Sequence, residues 1–354
     1  MFVQILSAFT LSILLLAILA PLARRVGLVD HPSERKRHTG RVPLIGGVGI
    51  FVCLLLLIPL FTPLNTELRW YLAGAGILVL FGVLDDRAGQ SVVLRVTVEV
   101  VAAMFMVFGA QLWVGDLGNL LGFRELHMPL WLSSPFTIIA VFGITNAWNM
   151  MDGMDGLAGT VTLVSLVFFY YLTHGIAPNN LIPALMLGSV TAYLMLNLGS
   201  NRLLPKVFLG DAGSKLIGFT LVWLLIDVTQ GGAFTGMHLP AALALFIVGL
   251  PLIDMVATTV RRIKKGQPAF APDRTHIHHI LQHAGFQPQE VLLIIAMVSI
   301  GVNTVGLLLY AMHAPAYVMF GVFWLITLLY IYNIDHAWKL SKWLHNKVAQ
   351  LPGE

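Results

Sequence analysis

Four short stretches of the chain concentrate the residues able to do chemistry. Asp85-Asp86-Arg87 places two adjacent carboxylates at the end of an apolar run. Neighbouring like charges there resist joint ionisation unless a cation or water shares the site, so a metal ion would relieve the repulsion. The plain alternative is a solvated helix terminus with Arg87 as counter-ion. Asn146 to Gly159 brings together Asn146, Asn149, Asp152 and Asp155 with three glycines. Hard oxygen donors of this kind suit Mg2+ or Mn2+. The stretch is not an EF-hand, because a loop begun at Asp152 has Leu163 where the bidentate glutamate belongs.

In Val207-Phe208-Leu209-Gly210-Asp211-Ala212-Gly213-Ser214 the glycines permit close backbone approach, and the helix that follows offers free amides and a positive dipole end to a phosphate. Asp211 could hold a metal that bridges to that phosphate. The Walker A spacing is absent, and an ordinary capped turn is the competing reading. Finally, 261–283 carries Arg261, Arg262, Lys264, Lys265 and Arg274, then His276, His278, His279 and His283. Such a cluster can grip a diphosphate through charge-assisted bonds. Zinc is disfavoured, because no H-E-x-x-H motif and no nearby cysteine accompany the histidines.

The elements that must position these residues are membrane helices. The chain is 57% hydrophobic and only 11% charged, with a mean hydropathy of +0.83, where soluble domains carry roughly a quarter charged residues. Apolar runs predict about eleven crossings, over 3–23, 44–61, 69–84, 92–112, 129–145, 157–174, 181–199, 213–230, 237–260, 290–312 and 317–333. The expected fold is therefore an all-α integral membrane protein, with a transmembrane domain over 1–333 and a basic tail over 334–354 that reads as an interfacial helix. The first run lacks a preceding positive charge and reads as a retained helix.

With the amino terminus outside, 19 of the 21 Lys and Arg fall at one face, which the positive-inside rule makes cytoplasmic. All four chemical stretches and the carboxyl terminus fall at that same face. Basic residues gathered at a membrane surface account for the net charge of +4 without a nucleic-acid partner. The lone Cys53 excludes an internal disulfide. A transporter would place its acids near the bilayer midplane in repeat-related positions, and no repeat is visible. Arg95 and Glu99, four apart on one helix, are expected to pair, while Asp227 and Asp254 are expected to face the bundle interior.

Taken in order, Asp85-Asp86, Asn149-x-x-Asp152-Gly-x-Asp155-Gly, Phe208-Leu-Gly210-Asp211-Ala-Gly213-Ser214 and His276-Ile-His278-His279 resemble the polyprenyl-phosphate N-acetylhexosamine-1-phosphate transferases over nearly the whole chain. Asp30-His31-Pro32, Lys36 to Gly40 and Pro272 to His279 are most similar to the WecA-type branch. The related MraY enzymes carry three consecutive histidines, where Ile277 interrupts the run here. This resemblance implies transfer of GlcNAc 1-phosphate from UDP-GlcNAc to undecaprenyl phosphate at the cytoplasmic face of a bacterial inner membrane, with Mg2+ (or Mn2+) as cofactor. It places Asp211 and Asn149 on the metal and Asp85 and Asp86 beside the acceptor phosphate. Asp152 and Gly210 would lie by the diphosphate, and Asp155, Asn201 and Phe208 near the uridine. Arg274, His276, His278 and His279 would close over sugar and phosphates. The step would open a cell-surface polysaccharide pathway, and a homo-oligomer is compatible with it.

Overall fold

A computed structural model of the chain describes residues 1–30, 40–173, 180–199, 205–232, 237–268 and 276–348. The helices are α1 (Phe2–Val26), α2 (Gly46–Phe61), α3 (Thr66–Ala88), α4 (Val92–Met104, prolonged by a π turn over Phe105–Gly109), α5 (Leu130–Met151), α6 (Leu157–Thr173) and α7 (Leu181–Leu198). They continue as α8 (Gly210–Gln230), α9 (Ala241–Ile247), α10 (Gly249–Lys264), α11 (Ile277–His283), α12 (Pro288–Ala311) and α13 (Ala316–Val348). Each of the eleven expected segments is helical. Among the described residues eight helices are long and apolar enough to cross a membrane, and the count is nine when the bent pair α9 and α10 is taken as one span. The two remaining segments, α2 and α6, are shorter at 16 and 17 residues. Helix α13 runs unbroken through 334, where the tail was expected to begin.

The expected straight crossing over 237–260 needs correction, since α9 and α10 meet at 82°. Pro251 lacks an amide hydrogen, and its ring collides with the carbonyl four residues back, which belongs to Ile247, the last residue of α9.

At the centre stands α8. Its apolar stretch is wholly buried, as a helix that is apolar all round requires, whereas α1 and α13 bury only a minor part of theirs. Between membrane helices association depends on close van der Waals approach, which small residues allow. Gly47 of α2 and Gly82 of α3 lie so near Ala212 and Gly213 that a Cβ on either would overlap backbone. Gly218 of α8 meets α5 in the same way, with a Cβ 2.7 Å from the Thr145 Cα. Three helices thereby converge on the first turns of α8.

A short ribbon secures the approach to α8. Strand β1 (Val29–Asp30) pairs antiparallel with β2 (Val42–Pro43), with Val29 opposite Pro43. The Phe208 amide then donates to the Pro43 carbonyl (2.9 Å), and Gly46 and Gly47 donate back to Phe208 and Leu209 (2.9 and 3.0 Å).

Replacing Gly47 by Ala is expected to force α2 from α8 and cost about 1–3 kcal/mol, seen as a lower melting temperature in detergent. Gly301→Ala, where nothing lies within 4 Å of the added carbon, should be neutral or gain up to about 1 kcal/mol. Equal melting temperatures for the two variants would contradict the packing argument.

Candidate functional site

The first turn of α8 has no cap of its own: Leu209 holds the N-cap position and supplies no side-chain bond. The carboxylate of Asp86, reaching over from α3, takes that role. Its Oδ1 accepts from the Asp211 amide at 2.9 Å, and the Ala212 amide lies 3.5 Å from Oδ2. Gly210 makes the contact possible twice over. Its φ of +73° is a left-handed conformation, and a Cβ there would stand 2.5 Å from Asp86 Oδ2. Asp211 is thus directed toward the end of α5, where its Oδ1 accepts from Asn149 Nδ2 (2.9 Å). The same amide nitrogen donates to Ser214 Oγ at 3.0 Å.

Asp85 sits behind this group with its side chain fully buried. Its Oδ1 accepts from Arg95 Nη2 (2.9 Å) and the Gln90 amide (2.7 Å). Its Oδ2 is 2.8 Å from Arg95 Nε, a charge contact off the hydrogen-bond line, and 3.7 Å from Lys215 Nζ. Lys215 is itself buried, 3.5 Å from Glu99 and over the Phe81 ring. The expected Arg95–Glu99 pair is therefore replaced: Arg95 serves Asp85, and Glu99 takes Lys215 and the Asn146 amide (2.6 Å). Partners on other helices offer a buried carboxylate more than an i, i+4 neighbour can.

Asp152 ends α5 and makes no side-chain hydrogen bond among the described residues. Its carboxyl is pushed up to about 8, first by burial and then by the charges of Asp211, Asp86 and Asp155. Packing among protein atoms dominates even though part of its surface remains open to solvent. Asp155 pairs with Lys206, whose ammonium lies 5.5 Å from the Phe208 ring centre. Asn197 ties these pieces together by accepting from the Gly156 amide (2.6 Å) and donating to the Val207 carbonyl (2.8 Å).

The histidine segment packs against the same loop. His276 Nδ1 is 2.7 Å from Asp254 Oδ2, and His278 lies against Gly153 with neither ring nitrogen partnered in the described residues. Burial, then the charge of His279, pushes His278 down to about 3. It is neutral near neutral pH and cannot hold a phosphate by charge in this arrangement. Gln282 of α11 also reaches the Met154 sulfur.

The structure thus brings Asp86, Asn149, Asp152, Gly210 and Asp211 to one end of the bundle, with Asp155 and Phe208 on one flank and His276, His278 and His279 on another. Asp85 belongs to the buried ion network beneath them. Asn201 and Arg274 lie outside the described residues. Asp227 and Asp254 are buried as expected. Sequence reading passed over Lys215, Asn197 and Asp254 as parts of the site. A lysine and an aspartate inside apolar runs were the signals available for two of them.

Among the described residues no three His, Cys, Asp or Glu side chains form a preassembled metal group. The donor chemistry nonetheless fits Mg2+, which commonly takes one or two carboxylates and completes its shell with water and substrate phosphates. Asp152 and the second oxygen of Asp211 are such donors.

Fold and site define a polytopic helical membrane protein with a carboxylate-lined polar site at one end of its bundle. The sequence pattern of glycosyl transferase family 4 matches residues 68–229. The chain is similar to undecaprenyl-phosphate alpha-N-acetylglucosaminyl 1-phosphate transferases from Escherichia coli O157:H7 (36% identity, 96% of this chain and 93% of that protein) and Salmonella typhi (37%, the same coverage). One from Haemophilus influenzae is 38% identical over 97% of this chain and 95% of its own length. The chain belongs to glycosyl transferase family 4.

Because the Asp152 carboxyl lies far above its ordinary 3.8 in the folded protein, the native state holds this proton more tightly than the unfolded chain. Its contribution to stability is present below about pH 4 and is lost as pH rises through about 8. In metal-free detergent solution, Asp152→Asn should therefore melt higher than the parent by a margin that widens from pH 5 to pH 8.5. A margin independent of pH would show that Asp152 does not carry this electrostatic load.

Proposed function

We propose that this protein transfers N-acetylglucosamine 1-phosphate from UDP-GlcNAc to undecaprenyl phosphate, giving undecaprenyl-pyrophosphoryl-GlcNAc and UMP. The reaction runs at the cytoplasmic face of a bacterial inner membrane, with the amino terminus outside. The observation that carries this reading is the gathering of Asp86, Asn149, Asp152 and Asp211 around the first turn of α8 in a chain that shares most of its length with transferases named for that activity.

An oxygen of the acceptor phosphate attacks the β-phosphorus of the donor. The bond from that phosphorus to the oxygen bridging toward the α-phosphate breaks, and UMP departs with the electron pair. The acceptor needs little help from a base, since a second phosphate pKa near ~6 leaves it largely dianionic at neutral pH. That suits Asp85, whose oxygens are already engaged by Arg95, Gln90 and Lys215. Asp85 stays in the ion network beneath the acceptor, and the more open Asp86 flanks it. Asp211 and Asp152, with Asn149 beside them, would hold Mg2+ (or Mn2+), which would supply neutralisation between the two phosphorylated substrates. Phe208 and Lys206 offer a ring face and a cation to the uridine end, with Asp155 orienting the lysine.

Purified protein given UDP-GlcNAc and undecaprenyl phosphate should release UMP only with a divalent ion present. Full turnover after EDTA treatment would overturn the site assignment. Asp211→Asn should stay folded yet lose roughly 10²–10³-fold in turnover, the usual loss for one preorganised transition-state contact.

Donor choice follows from the N-acetyl group. A site that pairs its amide leaves buried polar groups unsatisfied with UDP-glucose, which should be a poor donor. In competition scored by mass of the lipid product, GlcNAc should dominate, and a MurNAc-pentapeptide lipid as main product would overturn the donor assignment.

A further inference from the structure

Asp254 carries no substrate role in the reaction above, yet its carboxylate is held by three partners among the described residues. It lies on α10, 2% exposed, and both of its oxygens are engaged. Oδ2 meets His276 Nδ1 at 2.7 Å, while Oδ1 accepts from the Ile277 amide (3.2 Å) and from the Tyr330 hydroxyl of α13 (2.7 Å). Thr258 Oγ1, one turn further along α10, stands 3.4 Å from the same His276 nitrogen.

Helix α11 has only seven residues, and no side-chain bond from its own N-cap residue, His276, starts it. A helix that short does not hold itself. The Asp254 carboxylate caps it from another helix, as Asp86 caps α8, and the carboxylate also claims the Nδ1 proton of His276. That fixes one tautomer and leaves Nε2 as the ring atom available to a further partner. The consequences run on through the segment. His278 stacks on His276 with ring centres 5.9 Å apart and lies against Gly153, beside Asp152.

We propose that Asp254 and Tyr330 form a clamp that positions His276 and the start of α11 against the Asp152–Gly156 loop, so that α10 and α13 set the nucleotide-sugar side of the site. In its catalytic consequence the proposal rests on the reaction assigned above. Asp254 and Tyr330 are positioning residues, acting through His276.

The test uses the full-length protein in detergent and two readouts. Hydrogen exchange over 276–284 should quicken in Tyr330→Phe and Asp254→Asn while the peptides of α8 stay unchanged. In UMP release, Asp254→Asn should lower kcat/KM for UDP-GlcNAc about 10–100-fold, the usual cost of removing a partner that orients a functional histidine. The apparent KM for undecaprenyl phosphate should move less than about twofold, within the error expected of an uncoupled site. Combining Asp254→Asn with His276→Gln should be no worse than His276→Gln alone, because residues acting through one another are not additive. Multiplying losses, equal shifts in both KM values, or unchanged exchange over 276–284 would each overturn the clamp. Should Asp254→Asn fail to fold, Tyr330→Phe with and without His276→Gln carries the same comparison. If the parent protein releases no UMP from any donor, the reaction assignment falls, and the exchange measurement still decides the clamp.

Discussion

The site depends on one bond between helices: the carboxylate of Asp86 on α3 accepts the amide of Asp211 at the start of α8. A helix terminus presents amides without partners, and burying them unpaired is costly. Here the start of α8 is buried and Leu209 cannot cap it, so a neighbouring helix must. The bond fixes the rotation and depth of α8 against α3, and with them the direction in which Asp211 leaves the backbone. Gly82 lets α3 and α8 approach, Gly47 does the same for α2, and Gly210 leaves room for the Asp86 carboxylate.

Charge is left over by this construction. Asp85, Asp86, Glu99, Asp152 and Asp211 meet on one side of the bundle, while Arg95 and Lys215 are the cations shown in contact with them. Arg95 meets Asp85 and Lys215 meets both Asp85 and Glu99, the inner members, so the outer side of the cluster keeps a surplus of carboxyl groups, crowded enough that Asp152 is pushed up to about 8. A protein shaped only for stability would remove such a surplus. Keeping it gives a site with affinity for cations and for groups that arrive with them, at a cost to the empty fold. The inner ion network stops that cost from spreading into the membrane domain, because each inner charge finds partners on two or more helices.

Much of this was legible in sequence, and the limits have physical reasons. Asp86, Asn149, Asp152 and Asp211 could be assigned to one face because a helix count fixes which loops share a side. What they touch could not be read that way. Arg95 and Glu99 have the spacing of a helix pair, but that rule describes an isolated helix in water, and packing against α3 and α8 supplied better partners. The bend before α10 was readable in Gly249-Leu-Pro251, which hydropathy averaged away. Asp254 sat in an apolar run and gave a correct expectation of burial, but its partner His276 comes 22 residues later and Tyr330 another 54 beyond that. Contacts at such separations belong to the tertiary fold and leave no local period.

The bend also explains how residues so far apart in sequence come to share a site. Two helices at 82° cannot both lie along the membrane normal. Of the two, α10 is the amphipathic one, burying Asp254, Thr258 and Arg262 while leaving Ile263 and Lys264 exposed. An amphipathic helix with a basic last turn is at home along the interface. Beyond the bend the buried face of α10 carries Asp254 to the start of α11, where its carboxylate meets His276 and the Ile277 amide. A straight crossing would have carried Asp254 along the membrane normal, away from any loop able to fold over the acidic cluster. Pro251, through the single carbonyl it displaces at Ile247, thus links an apolar span to the polar segment that lies against the Asp152 loop.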